Sequence, residues 1–438
     1  VPTSSSLSVL NNDLEGDENS SDLPASPFFR TKKRVGDNNN FMARTRQNTN
    51  NRRSITLSFH NKEDEPMIQQ ILDANLNLVH IALIDDKKLK SSPENSYGGV
   101  YGQFCQVNFD AHKESPSEVP MFQDLISQSE QCLTQPKIYI DLKAIVTAAR
   151  DYDETLRLQR ADDDNNHHHH PSRRGSGSVP KVLRLGGVAF HESRCGSTLV
   201  ANSLIGMNPS QHRVYSESPL PIAAMKNICG ESFTSCSTKQ AEILLQDVIY
   251  MMSRSNQPEE THVFFKMQSI ETRSLQIFRN AFPQTPWIFV YRDPVQVMMS
   301  HLKNYIATGK KRANCLRSLR QPPPILHAIA RNRLSRRSAK DLSPYEFCAA
   351  HLASLTETAV QHIMEEDNSR GMGRPVNYND LPHILYEEIL PHHFHIPVDS
   401  QSIENIQKVS GTYSKGRDKN DAKDWKGDSE KKEEMAND

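Results

Sequence analysis

Four groups of residues in this 438-residue chain could act together on a charged ligand. The first is the loop Ser193-Arg194-Cys195-Gly196-Ser197-Thr198. It lies between an apolar run, Val182 to Phe190, and a helix pattern with Val200, Leu204 and Met207 on one face. A strand, a short polar loop and a helix start aim backbone N–H groups at one point, which makes an anion-binding site. The loop departs from the G-x-x-x-x-G-K consensus of nucleotide hydrolases: Arg194 precedes the glycine where a lysine should follow it, and the opening glycine is missing. The second group is Tyr291-Arg292-Asp293-Pro294, with Ser300 eight residues after Arg292. Asp293 and Pro294 are sufficiently explained as a helix cap and first helical residue. Arg292 at a strand end and Ser300 two turns on can converge on one phosphate. The third is Lys266, which ends the strand pattern HVFFK, and the fourth is Glu217 in VYSESPLPI. Each has a plain alternative, Lys266 as a surface lysine and Glu217 as a carboxylate favoured by a helix start.

These residues need a scaffold that brings strand ends together. Apolar strands are expected at Val182–Phe190, His212–Tyr215, His262–Lys266, Trp287–Tyr291 and Pro375–Tyr378. Helices are expected between them, at Ser197 onward, Pro221–Ile228, Lys239–Ser253, Glu271–Phe282 and Pro294–Ile306, and at Leu381–Leu390 after the last strand. Continuous apolar strands alternating with helices predict an α/β, three-layer P-loop fold with a central parallel sheet. Ligands bind such sheets at the carboxyl ends of the strands, where all four groups fall. A capping box, Ser343-Pro344-Tyr345-Glu346, opens a further helix.

Outside residues 181–438 the pattern changes. Residues 1–57 are Ser-, Asn-, Asp- and Arg-rich and read as a disordered tail. Residues 58–157 read as a small N-terminal subdomain or extension, with a strand at Leu76–Ile84 and a helix at Ile138–Arg150. Residues 158–180, with four adjacent histidines, read as a passive linker rather than a metal site. Lys310 to Lys340 carries ten Lys or Arg and no acid, so it is either a patch for an anionic partner or a solvated mobile lid.

Composition bounds the rest. Lys+Arg 52 against Asp+Glu 53 argues against a general nucleic-acid binder. No apolar run of about 18 residues occurs, so a membrane anchor would have to lie outside these residues. Seven cysteines show no zinc-ligand spacing; Cys105 and Cys132 either pair or are two buried thiols. Cys195 lacks an evident base, so a nucleophilic role is not expected.

The loop with a cation before Gly-Ser-Thr, followed by R-D-P-x₅-S, resembles the P-loop sulfotransferases over roughly Leu183 to Leu302. In motif arrangement it is closest to the tyrosylprotein sulfotransferases. The resemblance implies transfer of a sulfuryl group from 3′-phosphoadenosine-5′-phosphosulfate to a hydroxyl acceptor, without a metal, in the Golgi lumen or secretory pathway. It implies that Arg194 and the N–H groups of Gly196, Ser197 and Thr198, with Cys195 in the same loop, hold the 5′-phosphosulfate. Arg292 and Ser300 would bind the 3′-phosphate, helped by Lys415 and Arg417 in YSKGR. Lys266 would neutralise the bridging oxygen and Glu217 would take the acceptor proton, with His191 the next candidate base. A P-loop nucleotide kinase or hydrolase, or an inactive sulfotransferase-like scaffold, are the competing readings.

Overall fold

The structure is a computed structural model that describes residues 65–134, 138–165, 179–230, 238–308, 313–366 and 371–411. The tail 1–57, the histidine run, Lys415 and Arg417 lie outside them.

Among the described residues, ten strands form three sheets. A small antiparallel sheet has the order β1 (Asn77–Leu83), β2 (Val100–Cys105), β3 (Tyr139–Asp141). The short strands β4 (Lys181–Val182) and β7 (Arg254–Ser255) pair with each other. The main sheet is built from β5 (Arg184–His191), β6 (His212–Ser216), β8 (His262–Lys266), β9 (Trp287–Tyr291) and β10 (Gly373–Asn377). Its order is β10-β9-β5-β8-β6, and every pair is parallel. The chain moves from β5 out to β6, returns to β8, then crosses to β9 on the other side of β5. The order therefore reverses at β5, and the loop after β5 stands at the switch point where open α/β sheets bind ligands.

The strand sequences explain the layers. Side chains alternate across a strand, so a fully apolar strand needs cover on both faces. Val188, Phe190, Phe265, Trp287 and Phe289 join one buried cluster, whereas Ala189, Phe264, Ile288 and Val290 join another on the opposite face. Gly187 is a glycine because the Phe394 ring lies 2.6 Å from where its Cβ would be.

The first cluster runs without a break into the N-terminal residues, taking in Ile71, Leu78, Phe122 and Ile145. Charges reinforce that packing. Arg254 donates to both oxygens of Asp153 and to the carbonyls of Ile71 and Leu72. Asp247 accepts from Tyr97, Lys143 and Arg150.

Several expected elements shift. Tyr139–Asp141 is a strand rather than the start of a helix, because it completes the edge beside β2. The helix begins at Leu142 and runs to Asn165, into the stretch expected as a linker. Glu271–Phe282 divides into a 3-10 turn, Ser269–Ser274, and a helix, Leu275–Ala281. Leu381–Leu390 is replaced by a π-helix at Leu385–His393. The described part of the basic insert is not a mobile lid. Its helix Pro324–Leu334 packs through Leu326, Ile329 and Ala330 into a third buried cluster, and Cys315 is disulfide-bonded to Cys348. Cys105 and Cys132 also form a disulfide.

Candidate functional site

The loop after β5 is shaped by backbone conformation. Ser193, Arg194 and Gly196 have φ of 76°, 58° and 87°. Two of these are non-glycine residues in the left-handed region, which costs on the order of 1–3 kcal/mol each and is concentrated at functional sites. Gly196 must be glycine twice over, for its φ and because the Tyr378 ring lies 2.5 Å from where a Cβ would be. The helix Ser197–Met207 follows, so its first-turn N–H groups face the loop's concave side. The Cys195 side chain does not. It is fully buried, donates to the Val290 carbonyl at 3.1 Å, and has its thiol pushed up to about 12 by burial.

Lys266 and Glu217 come together at the ends of β8 and β6. Their parallel register aligns Ser216 with Lys266, and the Glu217 N–H donates to the Lys266 carbonyl at 2.7 Å. The Lys266 ammonium is ion-paired to Glu217 Oε1. The lysine side chain is wholly buried, while that of Glu217 is 36% exposed. Lys266 is thus no surface lysine: a buried ammonium requires a partner, and Glu217 supplies it. Glu217 has φ 54°, so another non-glycine residue is held in the left-handed region. Gln268 Nε2 donates to its carbonyl at 3.3 Å, and Gln268 N–H is in turn held by Glu271 Oε2 at 2.8 Å.

His191 lies beside the pair, its Nε2 3.7 Å from Glu217 Oε1. Its Nδ1 accepts the Ser193 N–H at 3.0 Å, so Nε2 carries the proton and donates to the Met267 carbonyl at 2.9 Å.

Arg194 departs from the expected grouping. It does not join Lys266 and Glu217; Nε donates to Ser300 Oγ at 3.0 Å and Nη2 to the Ser300 carbonyl at 3.2 Å. The reason is topological: Ser300 follows β9, and β9 and β8 flank β5 on opposite sides. The expected division, Arg194 at one end of the ligand and Ser300 at the other, is therefore replaced by a direct contact. Arg292 lies nearby, with Nε on Gln296 Oε1 at 2.7 Å and its guanidinium 4.1 Å from the Tyr378 ring centroid. Tyr378 so packs against both Gly196 and Arg292.

Sequence reasoning passed over Glu192, Tyr378, Gln268, Glu271 and Met121. Glu192 ties the loop to β9: Oε1 accepts the Arg292 N–H at 2.6 Å and Oε2 accepts from Thr356 at 3.2 Å. Burial pushes its carboxyl up to about 7, against those two bonds. Burial also pushes Glu271 up to about 8. The one available signal was the Gln268-x-x-Glu271 spacing of a capping box, which the structure forms. An apolar cavity of about 390 Å³ has Glu192 at its polar end, but neither Lys266 nor Glu217 lines it. Among the described residues no group of three His, Cys, Asp or Glu could hold a metal ion, and no helix is long and apolar enough to cross a membrane.

Fold and loop define a three-layer α/β protein with a strained loop and a helix start at the switch point of its parallel sheet, near a Lys–Glu pair. No protein-family model and no curated protein matches the chain. Solved structures that resemble it include the sulfotransferase domain from the curacin biosynthetic pathway, at 13% identity and a TM-score of 0.29, over 51% of this chain and 78% of that one. Another is a sulfotransferase from Mycobacterium avium, at 10% identity and a TM-score of 0.33, over 61% of this chain and 74% of that one. A third is a sulfotransferase from Alicyclobacillus acidocaldarius, at 11% identity and a TM-score of 0.30, over 50% of this chain and 86% of that one. At this level of likeness, function has to be read from the chain's own loop and strand ends.

Proposed function

We propose that this chain is a sulfotransferase that moves a sulfuryl group from 3′-phosphoadenosine-5′-phosphosulfate to a hydroxyl acceptor. The observation that carries the reading is the Lys266–Glu217 ion pair, set on the strands beside the anion-binding loop. Sulfuryl transfer needs positioning, neutralisation of the leaving oxygen and removal of one proton. The N–H groups of Gly196 and Thr198 fit the 5′-phosphosulfate. Arg292, with Arg194 and Ser300, fits the 3′-phosphate. The acceptor oxygen forms a bond to sulfur as the bond from sulfur to the bridging phosphate oxygen breaks. Glu217 takes the acceptor proton, and Lys266, released from its partner, faces the charge on the leaving adenosine 3′,5′-bisphosphate.

A nucleotide kinase or hydrolase on the same fold would place lysine after Gly196, and Ser197 stands there. The basic segment Lys310–Lys340 favours an anionic acceptor, such as an acidic peptide or a polysaccharide. Disulfide bonding of Cys105, Cys132, Cys229, Cys315 and Cys348 favours an oxidising compartment such as the secretory pathway.

Calorimetry with adenosine 3′,5′-bisphosphate and with magnesium ATP tests the reading. Binding of the bisphosphate and transfer of labelled sulfate to a hydroxyl acceptor are expected. A preference for ATP would favour the kinase or hydrolase, and binding without transfer to any acceptor would favour an inactive scaffold.

A further inference from the structure

Met121, on the N-terminal side of the main sheet's strands in sequence, reaches the Lys266–Glu217 pair. Met121 ends an extended segment, with φ −124° and ψ 149°, and precedes the helix Phe122–Gln128. Its backbone is fixed twice: its N–H donates to Asp124 Oδ2 at 3.2 Å, and its carbonyl accepts the Asp124 N–H at 2.9 Å. Val119, Phe122 and Leu125 on either side are buried. The Phe122 ring centroid lies 5.3 Å from that of Tyr215, the residue before Ser216 on β6. With its flanks held on β6, the Met121 thioether reaches the ends of β6 and β8. Its Sδ lies 3.5 Å from Ser216 Oγ and 4.0 Å from Lys266 Nζ.

That contact has chemical content. Among the described residues, the side-chain groups within hydrogen-bonding reach of the Lys266 ammonium are the Glu217 carboxylate and the Met121 sulfur. A thioether is a weak acceptor and a polarizable, apolar filler. It competes little with Glu217 for the ammonium, yet occupies space that water would otherwise take. Coulomb attraction strengthens as water is excluded, so a dry ammonium is the better partner for a developing anion.

We propose that Met121 is a positioning residue for the pair, holding the Lys266 ammonium against Glu217 and keeping water from it. The role in transfer rests on the sulfotransferase reading; the enclosure of Lys266 does not. It makes the segment around Met121 a working part of the site.

The test uses the full chain and three variants, Met121→Ala, Met121→Val and Met121→Leu. Valine suits the extended backbone but is too short to reach Nζ, so it serves if the alanine variant folds poorly. Leucine restores the bulk. A water-soluble imidoester is the probe, and the rate of Lys266 amidination is followed by peptide mass spectrometry. Amidination should be about tenfold faster in the Ala and Val variants, equivalent to about 1.4 kcal/mol of lost protection, and close to the parent in the Leu variant. In the same variants kcat should fall and return with leucine, with bisphosphate affinity unchanged. An unchanged amidination rate in both short variants overturns the proposal whatever the activity. Faster amidination in a chain that transfers no sulfate at all upholds the enclosure of Lys266 by Met121 and overturns the sulfotransferase reading instead.

Discussion

Arg194 and Ser300, 106 residues apart, are clasped by two hydrogen bonds, Nε to Oγ at 3.0 Å and Nη2 to the carbonyl at 3.2 Å. The loop after β5 is thereby pinned to the helix after β9. If the two act as a unit on one phosphate, their contributions to binding cannot add. Arg194→Ala, Ser300→Ala and the double variant form a cycle with adenosine 3′,5′-bisphosphate affinity as the readout. The expected coupling is about 0.5–3 kcal/mol, as found for residues in direct contact. Additive losses would separate the two roles again.

On the proposed reading, Arg292→Ala should remove a charge-assisted contact to the 3′-phosphate, on the order of 1.5–3 kcal/mol. Affinity for adenosine 3′,5′-bisphosphate should fall about tenfold or more, while that for adenosine 5′-monophosphate changes little. Equal losses for the two ligands in calorimetry would move Arg292 away from the 3′-phosphate.

Glu217→Gln keeps the shape of the side chain and removes the proposed base. A general base contributes about 10² to 10⁴ in rate, so kcat should drop by at least about tenfold with donor affinity nearly unchanged. Lys266→Ala should also lower kcat, and it leaves Glu217 without its buried cation. A Glu217→Gln enzyme with normal kcat would exclude this residue as the base. His191, whose Nε2 lies 3.7 Å from Glu217 Oε1, would then be the next residue to substitute.

Stability should fall as pH rises from 6.5 to 8. Glu192 and Glu271 hold their protons up to about 7 and about 8 when folded, against an ordinary value of 4.5. A carboxyl raised in this way contributes stability that is whole below the unfolded pKa and is lost as pH climbs to the folded one. The buried histidines His112 and His212, lowered to about 4, act in the opposite sense and only below 6.5. The window above 6.5 therefore isolates the carboxyls, and Glu271 should account for on the order of 2 kcal/mol there. Thermal unfolding of Glu271→Gln should show a flatter profile from 6.5 to 8, and Glu192→Gln a flatter one up to 7. A slope unchanged in both variants would contradict the assignment.

Apolar periodicity and capping are local, and they were enough to place β5, β6, β8 and β9 and most of the helices between them, though not the 3-10 turn Ser269–Ser274. They also put a glycine loop, a lysine, a glutamate and an arginine at strand ends. Which of these meet depends on the order of the strands in the sheet. Placing β8 and β9 on opposite sides of β5 sends Arg194 to Ser300 and leaves Lys266 with Glu217, a consequence of strand order that no local pattern carries. Met121, 95 residues before Ser216, joins them because Phe122 and Tyr215 pack. Tyr139–Asp141 resembles a helix start in isolation and becomes a strand because β2 has an edge to fill. The raised carboxyls of Glu192 and Glu271 belong to the same class, since burial is a property of the assembled core and not of the residue.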